Sequence, residues 1–452
     1  MLDILIRSCQ YPDYDKGILV KGDVGIKDGK IAALGHITEE AEQIISGEGK
    51  IASPGFIDIH MHEEDFRNEG EKYVISEMML KMGVTTCVGG NCGLQMQSVA
   101  DFRDGIARLG GAPVNYMLMA GYNTAREEAG LKRYDPAPPE VVEQIAARLQ
   151  NEVRQGALGI SFGLEYDPGI SFDEVIAVLK AQPQKDLFVS MHYRADSTAS
   201  MDSVREMIEI AKVSGKRFQI SHLSSCSAMG QMEDALSQIN AAIKENPQLN
   251  YDTYPYNAFS THIGSAVFDD GCLENWGKGY DSILLTDEPF KNRFCDKELF
   301  QRARREYPEM LAVAFVMNEA EIVSAMANPY GMVASDGIIR NGNGHPRAAG
   351  TFPRVLGRYV RELGQISMVD ALRKMTLEPA GRLGLAEKGQ MKEGFDADIA
   401  IFDPDTILDG ATFEDLHVPP TGIEEVIIQG RTALRRGEVI SSRLGRFIPS
   451  DY

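Results

Sequence analysis

The chain is 452 residues long and 43% hydrophobic, with a formal net charge of −20. This is a globular profile, not a disordered one, and the length exceeds one core of ordinary size, so two domains or a large barrel with an accessory piece are expected. The charge argues against general nucleic-acid binding or an anionic membrane surface, and no apolar run is long enough to span a bilayer. In chain order, Met1-Leu2-Asp3-Ile4-Leu5-Ile6-Arg7 reads as a strand and lacks the basic start and long apolar stretch of a signal peptide. The six cysteines are scattered, which fits reduced thiols and a cytoplasmic location. Up to residue 54, short β-like runs such as Gly17-Ile18-Leu19-Val20 and Lys30-Ile31-Ala32-Ala33-Leu34-Gly35 alternate with Gly turns, and a helical period first shows over Glu39 to Ile45.

The middle of the chain alternates strands and helices. Strand candidates are 56–61, 84–88, 114–120, 158–162, 187–192, 217–222, 249–254 and 331–335, with helical stretches such as Glu140 to Glu152 and Met201 to Lys212 between them. Eight strand-helix units point to a (β/α)8 barrel, which places its chemistry at the strand C-termini. No G-x-G-x-x-G follows the first strand, which disfavours a doubly wound sheet. The excursion from Pro255 to Asn292 reads as irregular and has the length of a lid or binding loop. The tail returns to short strands, Asp398-Ile399-Ala400-Ile401-Phe402 and Glu425-Val426-Ile427-Ile428 among them. Neither end makes a stable sheet alone, so residues 1–54 and 385–452 are expected to join in one small β domain, with a barrel over 55–384 between them.

Metal-type side chains recur at the ends of these strands. The first ends in Pro54-Gly55-Phe56-Ile57-Asp58-Ile59-His60-Met61-His62; residues two apart on a strand share a face, so His60 and His62 aim two imidazoles one way. A bare H-x-H is as readily two ordinary polar residues. After the second strand comes Gly89-Gly90-Asn91-Cys92-Gly93, the fifth ends in His192, the sixth in His222, and the eighth in Ser335-Asp336-Gly337. A lone strand-end histidine is more often structural; five such ligands plus an Asp on one predicted rim point to a metal site. Cys87 reads as a core hydrophobe, Cys226, Cys272 and Cys295 as structural, and His36 and His417 as surface residues. His262 and His345 lie on loops reaching the mouth, and neither is expected to be a ligand.

With these motifs the chain resembles the amidohydrolase superfamily, and within it the N-acyl-D-amino-acid deacylases (D-aminoacylases). The supporting segments are Gly83-Val84-Thr85-Thr86, Asn91-Cys92-Gly93, Gly163-Leu164-Glu165-Tyr166, Tyr254-Pro255-Tyr256, Ser335-Asp336-Gly337 and the run from His345-Pro346-Arg347-Ala348 to Gly357. The resemblance implies a distorted (β/α)8 TIM barrel with a small β-sandwich built from both chain ends. It also implies a metal-dependent hydrolase acting on N-acyl-D-amino acids, with Zn2+ as one or two ions. The strand-four end, Leu158-Gly159-Ile160-Ser161-Phe162-Gly163, has no Lys to bridge two metals, and by resemblance Cys92 replaces it. Cys92, His192 and His222 would be the main ligands, with His60 and His62 completing that site or holding a weaker second ion.

The same resemblance assigns Asp336 as ligand and proton shuttle, Tyr166 as carbonyl polariser, and Arg347, assisted by Tyr254 and Ser260, as clamp for the substrate carboxylate. Arg194 is a weaker carboxylate-binding candidate. Ser224 stands where family members often carry Lys, and Glu63-Glu64-Asp65 lengthens the run to Cys92, so the exact substrate stays open. An amidohydrolase acting on another C–N bond, such as a cyclic imide or a dipeptide, is the alternative. A non-catalytic dihydropyrimidinase-like scaffold is the third reading; such scaffolds lose metal ligands, and all are kept here. The expected partner is a small-molecule N-acyl amino acid, with no nucleic acid and no membrane, and a homo-oligomer is compatible with the barrel's size.

Overall fold

The computed structural model describes residues 1–67, 70 and 72–452. Its centre is an α/β arrangement of parallel strands in two sheets. Phe56–Asp58, Val84–Gly89 and Asn115–Leu118 form the first; Ala120–Gly121, Gly159–Gly163, Phe188–His192, Arg217–Ile220, Leu249–Thr253 and Met332–Val333 follow one another in the second. Only Met119 separates the two sheets on one side. On the other, the His62 N–H donates to the Gly337 carbonyl at 2.9 Å, and the Asp336 N–H to the His60 carbonyl at 2.8 Å. The ladder does not run as one closed eight-stranded barrel. Every residue of Val84–Gly89 and Gly159–Gly163 is buried, as parallel strands covered on both faces require.

The helices around these sheets are set by their own sequence. Pro139–Arg154 starts on proline and buries Val142, Ile145, Ala146, Leu149 and Val153, a stripe at helical spacing. Phe172–Ala181 is fixed by a capping box in which Ser171 Oγ accepts from the Glu174 N–H. Several strands stop short of the predicted ends, at Asp58, Ile220 and Val333, and site residues beyond them depart from strand geometry. His222 and Asp336 do so with positive φ, +35° and +49°.

Two expectations are corrected. Glu39 to Ile45 is not helical: Ala41–Ser46 is a strand parallel to Leu2–Asp13, with Ile45 opposite Ile6, so sheet pairing and burial override a weak helical period. The excursion from Pro255 is not irregular: Phe259–His262, Ile283–Leu285, Arg293–Phe294 and Leu311–Ala314 make a four-stranded antiparallel sheet. The two chain ends share one nine-stranded sheet. In it Ile51–Pro54 lies beside Leu2–Asp13 and pairs antiparallel with Ile399–Phe402. Ile4, Ile6, Val24 and Ile26 pack there against Ile399, Ile401 and Ile427. The last residues are then stitched along the sheet edge opposite the strand C-termini, the Ala112 N–H donating to the Gly445 carbonyl and the Ile448 N–H to the Tyr116 carbonyl, both at 2.8 Å. Among the described residues, no helix is long and apolar enough to cross a membrane.

Candidate metal centre

The strand ends bring six side chains together in two overlapping groups. His60, His62, Cys92 and Asp336 form one, and Cys92, His192 and His222 the other, with ligand atoms in each group within 4.8 Å of one another. All six are buried. Asp336 Oδ1 lies 3.4 Å from His60 Nε2 and 3.5 Å from His62 Nε2. Cys92 Sγ lies 3.3 Å from His60 Nε2 and 3.4 Å from His222 Nε2, so it belongs to both halves. His192 Nδ1 is 3.0 Å from His222 Nε2.

Local backbone makes this convergence. Cys92, His222 and Asp336 all hold positive φ without being glycine, a conformation that costs on the order of 1–3 kcal/mol each and persists only where the surroundings hold it. The Cys92 turn depends on its glycines. A Cβ on Gly93, which has φ +76°, would sit 1.8 Å from Asn123 Oδ1. One on Gly90 would meet the Met119 carbonyl oxygen at 2.6 Å.

Two carboxyl groups that sequence reasoning did not assign lie against the histidines. Asp252, near the end of its strand, accepts from the His222 backbone N–H at 2.7 Å and lies 3.3 Å from His60 Nδ1. Glu165, inside a motif already singled out, lies 2.9 Å from His192 Nε2. Burial pushes the Glu165 carboxyl up to about 8, which favours a proton held between those two atoms and leaves Nδ1 turned to the ring. Ser225 Oγ likewise engages His222 Nδ1 at 2.8 Å, leaving Nε2 turned to Cys92. The strand-end position of Asp252 was the signal that could have found it.

The electrostatics fit a bound cation. Burial pushes His192 down to about 3 and His222 well below its ordinary value, so both are neutral donors. Burial raises the Cys92 thiol against the pull of His60, so a stable thiolate there calls for added positive charge. Burial also raises Asp336, but Arg347, ahead of His222, His60 and His62, overrides it and holds the carboxyl well below the usual range. A sulfur, neutral imidazoles and an ionised carboxylate are the donor classes of divalent transition metals.

Beside the ring, Arg347 is 1% exposed and opens the helix Arg347–Arg354. Its Nη1 pairs with Asp336 Oδ2 at 2.9 Å, its Nη2 donates to the Ser260 carbonyl at 3.0 Å, and its guanidinium lies over the Tyr254 ring at 4.8 Å. Among the described residues, the buried Tyr254 Oη and Ser260 Oγ find no hydrogen-bond partner. Tyr166 lies tilted against His192, ring centres 4.5 Å apart, and lines a cleft of about 590 Å³ with Arg133, His262 and Arg340. His345 is buried; its Nδ1 accepts from the Arg347 N–H at 3.0 Å and so fixes that helix start. Ser224, in place of the family Lys, is buried and bonded to Thr253.

Arg194 does not join this group. Its guanidinium pairs with Glu206 at 2.7–3.1 Å and donates to the Ile170 carbonyl at 2.8 Å. Arg194→Ala is therefore expected to leave KM for an acyl amino acid within about twofold and to cost at most ~1 kcal/mol of stability. Steady-state kinetics and urea unfolding check this; a large KM rise would return Arg194 to the site.

Comparison with known proteins points the same way as the geometry. Residues 324–434 match the model of the Amidohydrolase family. D-aminoacylase of Alcaligenes xylosoxydans xylosoxydans is 28% identical over 95% of this chain and 93% of its own. A solved D-aminoacylase with a binuclear metal centre superposes with TM-score 0.89 and 26% identity, covering 100% of both chains. The chain is similar to these amidohydrolases along its whole length. Its likeness to the deacylase branch of these amidohydrolases extends to N-acyl-D-glutamate deacylase of Bordetella bronchiseptica, solved with zinc and a phosphonate mimic of the tetrahedral intermediate. That structure gives TM-score 0.89 and 26% identity over 99% of this chain and 100% of the other.

Proposed function

We propose that this amidohydrolase cleaves the amide bond of N-acyl-D-amino acids, giving a carboxylate and a free D-amino acid. The observation that carries the reading is the buried ring of Cys92, His60, His62, His192, His222 and Asp336 with the Arg347 guanidinium beside it. Full-length likeness to D-aminoacylases supplies the substrate's class and configuration. The α/β core goes with a distorted (β/α)8 barrel over 55–384, and the shared sheet with a discontinuous end domain, 1–54 and 385–452.

Cys92, His192 and His222 would hold the main Zn2+, with His60, His62 and Asp336 completing it or holding a second, weaker ion. When bound, the ion supplies Lewis acidity and lowers the pKa of water. Asp336 accepts the proton of the attacking water on Oδ1 as the new C–O bond forms. It returns that proton to the amide nitrogen as the C–N bond breaks. Tyr166 donates a hydrogen bond to the developing oxyanion. Arg347, with Tyr254 Oη and Ser260 Oγ, holds the substrate carboxylate.

Assay of the purified protein against N-acetyl-D- and L-amino acids and dihydrouracil-type rings, with metal content measured on the same sample, tests this. Turnover of the D series in a metal-containing sample is expected. Turnover of rings without the D series would overturn the substrate assignment, and a metal-free protein indifferent to added zinc would overturn the mechanism.

A further inference from the structure

We propose that Glu63 is a positioning residue that holds Cys92 in its ligand conformation. The inference rests on the reading of Cys92 as a metal ligand and goes beyond it. Glu63-Glu64-Asp65 follows directly on His62, and three adjacent acids would ordinarily be a solvated run; here all three are buried, at 7%, 4% and 6% exposure. Each binds a different element. Glu64 accepts from the Val74 N–H at 3.0 Å and the Ser76 N–H at 2.9 Å, at the start of the helix Ile75–Lys81. Asp65 pairs with Arg340, in the strand Ile339–Arg340 that follows Asp336, at 3.0 Å.

Glu63 takes the Cys92 turn itself. Oε2 accepts from the Gly90 N–H at 2.9 Å, and Oε1 from the Met96 N–H at 2.5 Å. These two residues bracket Cys92, so one carboxylate closes the turn at both ends. The approach is tight: a Cβ on Gly89 would lie 2.8 Å from Glu63 Cβ. Because Cys92 carries φ +57°, a conformation that persists only where its surroundings over-determine it, the turn needs such a closure. The carboxylate also ties the Cys92 turn to His62, its covalent neighbour, and thereby fixes two ligand-bearing loops against each other.

The chemistry requires two acceptors. Glutamine has the same shape but one acceptor oxygen, and its amide N–H groups would confront a backbone N–H. A space-filling role would leave Glu63→Gln silent; a two-point clasp would not.

The test is the full chain loaded with Co2+, read by the near-UV thiolate-to-cobalt absorption and by metal retained after dialysis. Wild type should show the band and Cys92→Ala should lose it; a wild type without the band would remove the ligand reading and this inference with it. Given the wild-type band, Glu63→Gln is expected to weaken it and to lower metal affinity about 10- to 100-fold, the usual effect of removing a partner that orients a ligand. Glu63→Asp, which keeps both oxygens one methylene further back, should fall between and provides the same reading where the Gln variant fails to fold. A band and affinity equal to wild type in whichever variant folds, by circular dichroism, would overturn the role of Glu63 while leaving Cys92 as a ligand.

Discussion

Cys92→Ala should release bound metal and lower kcat/KM on N-acyl-D-amino acids by about a thousandfold or more, equivalent to roughly 4 kcal/mol of transition-state stabilisation. The sulfur is the one donor common to both ligand groups, so its removal opens both. His60 belongs to one group, and His60→Ala leaves Cys92, His192 and His222 together. That variant should therefore keep most of its metal. Elemental analysis after dialysis, paired with kinetics, separates the two variants. Greater metal loss from His60→Ala than from Cys92→Ala would reverse this division of labour.

Asp336→Asn should act on catalysis and stability at once. Loss of the proton shuttle is expected to lower kcat about 10²- to 10⁴-fold, with KM much less affected. The second effect comes from Arg347, whose buried guanidinium would lose its carboxylate partner at 2.9 Å. Breaking a buried ion pair from one side costs about 3–5 kcal/mol, and the Asn oxygen, still able to accept a bond, places this variant towards the lower figure. Urea unfolding reads that cost independently of turnover. Near-wild-type kcat would remove Asp336 from proton transfer, and unchanged stability would show that Arg347 finds another partner.

What the sequence made legible were the residues whose position along the chain carries the message. His60, His62, Cys92, His192, His222 and Asp336 stand at the ends of apolar runs, and strand order alone predicts a common rim for them. What it concealed depends on neighbours brought in from the side. Asp252 is two residues before Tyr254 in the chain, yet its contacts are His222 and His60 on other strands. Arg194 is two residues past His192 and still turns to Glu206 on a helix. Glu63 reads as surface charge until Gly90 and Met96 are seen against it. The fold divides the same way: buried parallel strands announce themselves by composition, whereas the short strands after Pro255 and the strand Ala41–Ser46 owe their state to pairing.

The sheet shared by both chain ends also sets a timetable for synthesis. Ile51–Pro54 is made early, but its antiparallel neighbour Ile399–Phe402 leaves the ribosome only after the whole middle of the chain. Until then one edge of the early sheet stays unpaired, with Ala52 and Ile51 awaiting Ile401 and Phe402. Closing so long a loop is slow, because chain entropy is lost before any pairing compensates. The interval of greatest aggregation risk for this protein thus falls during translation, and anything that stalls elongation through the middle of the chain lengthens it.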